Sequence, residues 1–358
     1  LLHADGDRTT AKRSPDRTLR RVADFLVGYV DEVEERLGDP SQLPSRHGRV
    51  SSGGVVQYNW PLAVAAVFFA ELHARGLLRA KAKAANRKIV RLLLGSQQEN
   101  GGWGHGRIRE LMEATGLDDE LQEKLEEELE KVAPGVKAPK LDGYPATLIA
   151  TTNLVGYGLG IAGAAHGADA FGDGYADGVE RAIDYFDDAQ LVSGLFPYDP
   201  SQRSAGADKT GIPRSGGAIA ALLALGASPR SKEVRRAADT VDVGIDYLSE
   251  GHGSATLGLW LSAIGMHLRG AEAWRRFATA YLQRLVDAQQ DGGRIRCICR
   301  GTAFGATNDD RDVGVGAVDR ATHAYVTALS TWILLLDRTR PKAGPAPLET
   351  APGQTTPR

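Results

Sequence analysis

The chain has 358 residues, with 43 Lys+Arg against 45 Asp+Glu and a formal net charge of −2. That balance argues against a general nucleic-acid binder. No stretch approaches the roughly 18 consecutive apolar residues of a membrane span, and two cysteines cannot staple a disulfide scaffold.

The sequence opens Leu1-Leu2-His3 rather than on Met, which reads as a processed chain, and residues 1–13 read as an N-terminal extension. The first helix is expected to start at Ser14-Pro15, a cap followed by proline in the first turn. Its apolar stripe is Leu19, Val22, Leu26, Val30, Val33 and Leu37, with Gly38 and Pro40 as stops. Four later segments repeat this amphipathic form: Leu78–Leu92, Tyr175–Phe186, Val234–Leu248 and Trp274–Ala288. Between them, residues 61–74, 145–165, 213–225, 253–268 and 320–336 are apolar nearly all round, as in helices buried on most sides.

This alternation, with a period of about 50 to 60 residues, marks a helical-hairpin array. It predicts an all-α fold, an α/α toroid of five to six hairpins over residues 14–338, with outer helices ringing inner ones. Residues 108–133 are an expected helical insertion, carrying Leu117, Leu121, Leu125 and Leu129 at four-residue spacing. The final segment 339–358, rich in Pro, Gly and Thr, is an expected flexible tail that offers a protein partner a contact.

Outer segments end in a recurring Gln-x-x-x-Gly-x-large pattern: Gln97, Gly101, Trp103; Gln190, Gly194, Phe196; and Gln289, Gly293, Ile295. The glutamine is suited to bond backbone at the helix end. The glycine allows a left-handed turn, and the large side chain fills the gap beside the next helix. On these motifs the sequence resembles the repeat of squalene cyclases and protein prenyltransferase β-subunits, over roughly residues 16–338. The resemblance implies the toroid and leaves the reaction open, because the motif is a structural clamp.

Two family chemistries fit poorly. The Asp-x-Asp-Asp acid of triterpene cyclases has no counterpart; Asp184, Asp187 and Asp188 are spaced differently. Aromatic residues, which stabilise carbocations, are only 6%. The zinc set of prenyltransferases is matched only in part, by Cys297, Cys299 and His323; no cofactor is expected, with zinc the one possibility.

Outer-to-inner connections are mostly long, at 38–60, 97–144, 190–213 and 290–319, and a toroid gathers them at one face together with the inner-helix N-termini. That predicts a pocket there for an anionic or polyhydroxylated ligand, a small molecule or an oligosaccharide. If the protein is an enzyme, His252 or His323 is the expected acid or base, with Tyr144 a second proton carrier and Arg214 offsetting negative charge. Tyr58, Asn59, Trp60, His105, Arg203, Asp319 and Arg320 are the expected ligand contacts. Asn59 and Ser254 equally suit helix caps, and Tyr58 and Trp60 equally suit rim packing. Three readings stay open: a divergent cyclase/prenyltransferase-like enzyme, a polysaccharide lyase or other carbohydrate-active toroid, and a non-catalytic interaction module. A soluble protein of bacterial style is expected, cytoplasmic or exported after processing.

Overall fold

A computed structural model describes residues 15–38, 58–104, 147–200, 209–250, 255–298 and 316–337; in the first and last of these segments, side chains are described over 17–35 and 326–337. The expected insertion at 108–133, the N-terminal extension and the tail lie outside the described residues.

The described chain is all-α, without strands; Gln289 and Ile295 form an isolated bridge. Ten α-helices follow in order: α1 (Pro15–Gly38), α2 (Asn59–Ala74), α3 (Arg79–Gly95), α4 (Ile149–His166), α5 (Gly174–Ala189), α6 (Gly211–Ala224), α7 (Lys232–Val243), α8 (Ala255–Leu268), α9 (Ala271–Asp287) and α10 (Gly316–Leu336). None of the described helices is long and apolar enough to cross a membrane.

Even-numbered helices pack on each other in chain order, α2 on α4, α4 on α6, α6 on α8 and α8 on α10, and odd-numbered helices pack outside them. Composition explains the split. Helix α4 buries nearly its whole circumference, whereas α7 buries only Val234, Ala237, Ala238 and Val241. Across the inner layer, Tyr157 of α4 meets Trp260 of α8 edge-on at 5.9 Å, and Trp260 meets Trp332 of α10 at 5.2 Å. Burial and the nearby Glu71 carboxylate push the Tyr157 hydroxyl far above its usual range. No comparable seam joins α10 back to α2 among the described residues.

Two boundaries differ from expectation. On α1 the buried positions are Leu19, Ala23, Val30 and Val33, and Val22 is 39% exposed. Ala23 displaces Val22 because 19, 23, 26, 30 and 33 follow the alternating four- and three-residue steps that hold one face of a helix. The stripe of α7 was expected to run on to Leu248; the helix stops at Val243, and after Gly244 a 3-10 turn spans Ile245–Tyr247.

Helix α1 lies on α3 through a ladder of exposed ion pairs: Lys81 with Asp24, Lys88 with Asp31 at 2.7 Å and with Glu34, and Arg91 with Glu34.

A polar knot ties α2, α3 and α4. With its amide oriented to satisfy both ends, buried Asn86 donates to the Ala66 carbonyl at 3.2 Å and accepts from the Ala70 N–H at 3.1 Å and from His166 Nε2–H at 3.0 Å. His166 Nδ1 is buried without a hydrogen-bond partner, and the ring lies 4.1 Å from that of His73. Burial first, then the charges of His73, Lys83 and Arg87, lower the His166 pKa from 6.5 to about 4. The unfolded chain therefore binds the extra proton between these values, so stability is full above pH 6.5 and falls as pH drops towards 4. Allowing for solvent screening of a partly exposed ring, the loss is about 1–2 kcal/mol. Melting temperature against pH should show this slope in wild type, and His166→Gln should flatten it.

Candidate functional site

The inner-helix N-termini and the outer-helix C-termini share one rim, and the bonds between them set it. Three copies of one turn build it. Gln98 N–H donates to Gly102 O at 3.0 Å, Leu191 N–H to Leu195 O at 2.9 Å and Gln290 N–H to Arg294 O at 2.7 Å. Each turn passes through a left-handed glycine: Gly101 at φ +86°, Gly194 at +85° and Gly293 at +82°. The residue after next offers its N–H to a hydroxyl on the following inner helix. Trp103 donates to Thr152 Oγ1 at 2.9 Å, Phe196 to Ser215 Oγ at 3.1 Å and Ile295 to Thr327 Oγ1 at 3.1 Å.

The glutamine side chains reach outward to the next outer helix. Gln97 Nε2 donates to Gly101 O and to Gly178 O of α5, both at 2.8 Å, and Arg181 holds its Oε1 at 2.6 Å. Gln190 Nε2 donates to Gly194 O at 3.4 Å and to Glu233 O of α7 at 2.9 Å. Gln289 is exposed and has no side-chain partner among the described residues.

Charge is buried at this rim. Asp199, Arg214 and Glu250 are 5%, 7% and 9% exposed, and they are the buried charged side chains among the described residues. Buried charge is costly unless compensated, so these side chains are candidates for use. Arg214, in the first turn of α6, donates from Nε to Phe196 O at 3.1 Å and lies 5.9 Å over the Tyr198 ring. Its carbonyl accepts from Asn153 Nδ2 at 2.8 Å. Lys209 pairs with Glu250 at 2.7 Å and sits 5.6 Å over the Tyr247 ring. Several buried polar atoms here end without a hydrogen bond, Asn153 Oδ1, Gln190 Oε1 and Ser249 Oγ among them.

Of the expected site residues, Arg214 is one of these buried charges. Asn59 opens α2 on the same rim. It is fully buried; its Nδ2 donates to Gly104 O at 3.0 Å, and its Oδ1 accepts from Ser96 Oγ at 2.9 Å. Tyr58 is likewise buried, Trp60 half-buried, and Trp103 fully enclosed with Nε1 donating to Leu93 O at 2.7 Å. His252, Tyr144, His105, Arg203, Ser254 and Cys299 lie outside the described residues, as do the side chains of Asp319, Arg320 and His323 on α10.

Cys297 is exposed, its Sγ 3.3 Å from Thr256 Oγ1. Among the described residues no three His, Cys, Asp or Glu are grouped to hold a metal ion.

Sequence reasoning missed Asp199 and Glu250. The available signal was an acid closing an apolar run, as in Leu195-Phe196-Pro197-Tyr198-Asp199. No family model, curated protein or solved structure matches the chain.

Proposed function

We propose that the chain is a divergent α/α-toroid protein of the cyclase/prenyltransferase type whose inner-helix N-terminal rim binds an anionic or polyhydroxylated ligand. The observations that carry this reading are the buried charges on this rim: Asp199, next to the Tyr198 that holds the first residue of α4, Arg214 in the first turn of α6, and Glu250, paired with Lys209. Helix N-termini add partial positive charge there. The orphan Asn153 Oδ1 and Ser249 Oγ supply polar atoms that a hydroxylated ligand can satisfy. In this reading Arg214 and Lys209 meet negative charge, and Asp199 and Glu250 hold hydroxyls or move a proton.

The two carboxylates favour one second reading, a carbohydrate-active toroid, although enclosed Trp103 cannot serve as a sugar platform. The test is thermal stabilisation by prenyl diphosphates and by uronate oligomers, in wild type and Glu250→Gln. A ligand at about a hundred times its Kd stabilises by about 2.7 kcal/mol, or about 3–4 °C for a chain of this size. Such a shift with one class, lost in a Glu250→Gln variant of unchanged basal melting temperature, supports the reading and names the class. If neither class shifts the wild type, the rim is not this kind of site.

A further inference from the structure

Two imidazoles meet where inner helices end, at the opposite pole to the rim. His73 lies in the last turn of α2, and His166 closes α4. Their rings are 4.1 Å apart and tilted by 51°. In each ring one nitrogen is tied down as a donor. His166 donates from Nε2 to the amide oxygen of buried Asn86 at 3.0 Å. His73 Nδ1 lies 3.4 Å from the Arg79 carbonyl oxygen, which only accepts. A neutral imidazole carries a single N–H, so the lone pairs are left on His166 Nδ1 and His73 Nε2. Nδ1 of His166 is buried without a hydrogen-bond partner. Burial, ahead of the charges of His73, Lys83 and Arg87, keeps that ring unprotonated at neutral pH.

A histidine whose far N–H is anchored on a protein oxygen has its tautomer and ring orientation set for a metal ion. Here two such rings come from separate helices, each with the other nitrogen uncommitted. We propose that His73 Nε2 and His166 Nδ1 together hold one divalent transition-metal ion such as zinc. Imidazole nitrogens select such an ion over magnesium and calcium, which take oxygen ligands. Both side chains are half-buried, so water or an anion completes the coordination as in an open site. Lys83 and Arg87 of α3 oppose a bare cation. The carbonyl ends of α2 and α4 carry partial negative charge that offsets them, and the same two side chains favour an anion as the third ligand.

The experiment is zinc titration of the full chain at neutral pH, followed by calorimetry and by nitrogen-15 resonances of the histidine rings. In wild type, His166 Nδ1 and His73 Nε2 should shift together and saturate at the same zinc concentration. Oxygen partners behind a ligating histidine are alone worth about 10- to 100-fold in affinity, so His73→Ala and His166→Gln should each weaken zinc at least about tenfold. Should His166→Gln fail to fold, His73→Ala, at a half-buried position in the last turn of α2, carries the comparison. Zinc held with equal affinity by wild type and His73→Ala is bound elsewhere and overturns the proposal. So does a titration in which neither ring nitrogen moves. Neither outcome bears on ligand binding at the rim.

Discussion

Gly101→Ala should lower the unfolding free energy by about 2–5 kcal/mol, against about 1–2 kcal/mol for Gly293→Ala. Both glycines are left-handed, at φ +86° and +82°, so both alanines carry the same backbone strain of about 1–2 kcal/mol. Only at Gly101 does the new methyl meet a wall, 2.0 Å from the Arg181 carbonyl oxygen and 2.7 Å from its carbon. That wall is helix backbone, which yields only if α5 shifts and strips Gln97 from Gly178. Overpacking of this kind adds about 1–3 kcal/mol. Denaturant midpoints of the two variants check the difference. Equal losses would mean that Gly101 is required for its dihedral alone and the grip on α5 contributes nothing.

At Gly160 in α4 the expected result runs against intrinsic preference. Helix propensity favours alanine over glycine by about 1 kcal/mol. A methyl there, however, would sit 2.3 Å and 2.4 Å from the Ala224 carbonyl carbon and oxygen of α6. Gly160→Ala should therefore destabilise by about 1–3 kcal/mol, and Gly160→Leu should leave no folded protein, since it separates two inner helices along their seam. Thermal unfolding followed by far-UV circular dichroism measures both. A rise in melting temperature for Gly160→Ala would show that α4 and α6 do not need this approach.

The helices themselves were legible because apolar periodicity reports burial directly. The nearly uniform apolar runs became the inner layer, and the one-sided stripes became the outer one. Val22 misled because it is more apolar than Ala23, while geometry turns the smaller side chain inward. Gly244 ended α7 although the stripe continued past it. The Gln-x-x-x-Gly turns were readable, since they keep a fixed spacing. Their hydroxyl partners were not, because Thr152, Ser215 and Thr327 lie 49, 19 and 32 residues downstream of the residues they hold. A threonine or serine inside an apolar helix carries no letter-level sign that it latches a neighbouring loop. Asn86 and His166 were missed for the same reason, being polar residues whose partners lie on other helices. At the rim, Arg214 was visible in the sequence, whereas burial of Asp199 and Glu250 depends on how the loops before α6 and α8 pack.

The grip of each rim turn has a direction. Gln97 and Gln190 reach forward in the chain, to α5 and α7. As the polypeptide leaves the ribosome, the hairpins that end in α3 and α5 therefore each offer a finished socket before the segment that fills it has been made. Assembly can proceed from the amino end by vectorial addition, without long-range search, and an early hairpin waits with its socket exposed rather than its interior.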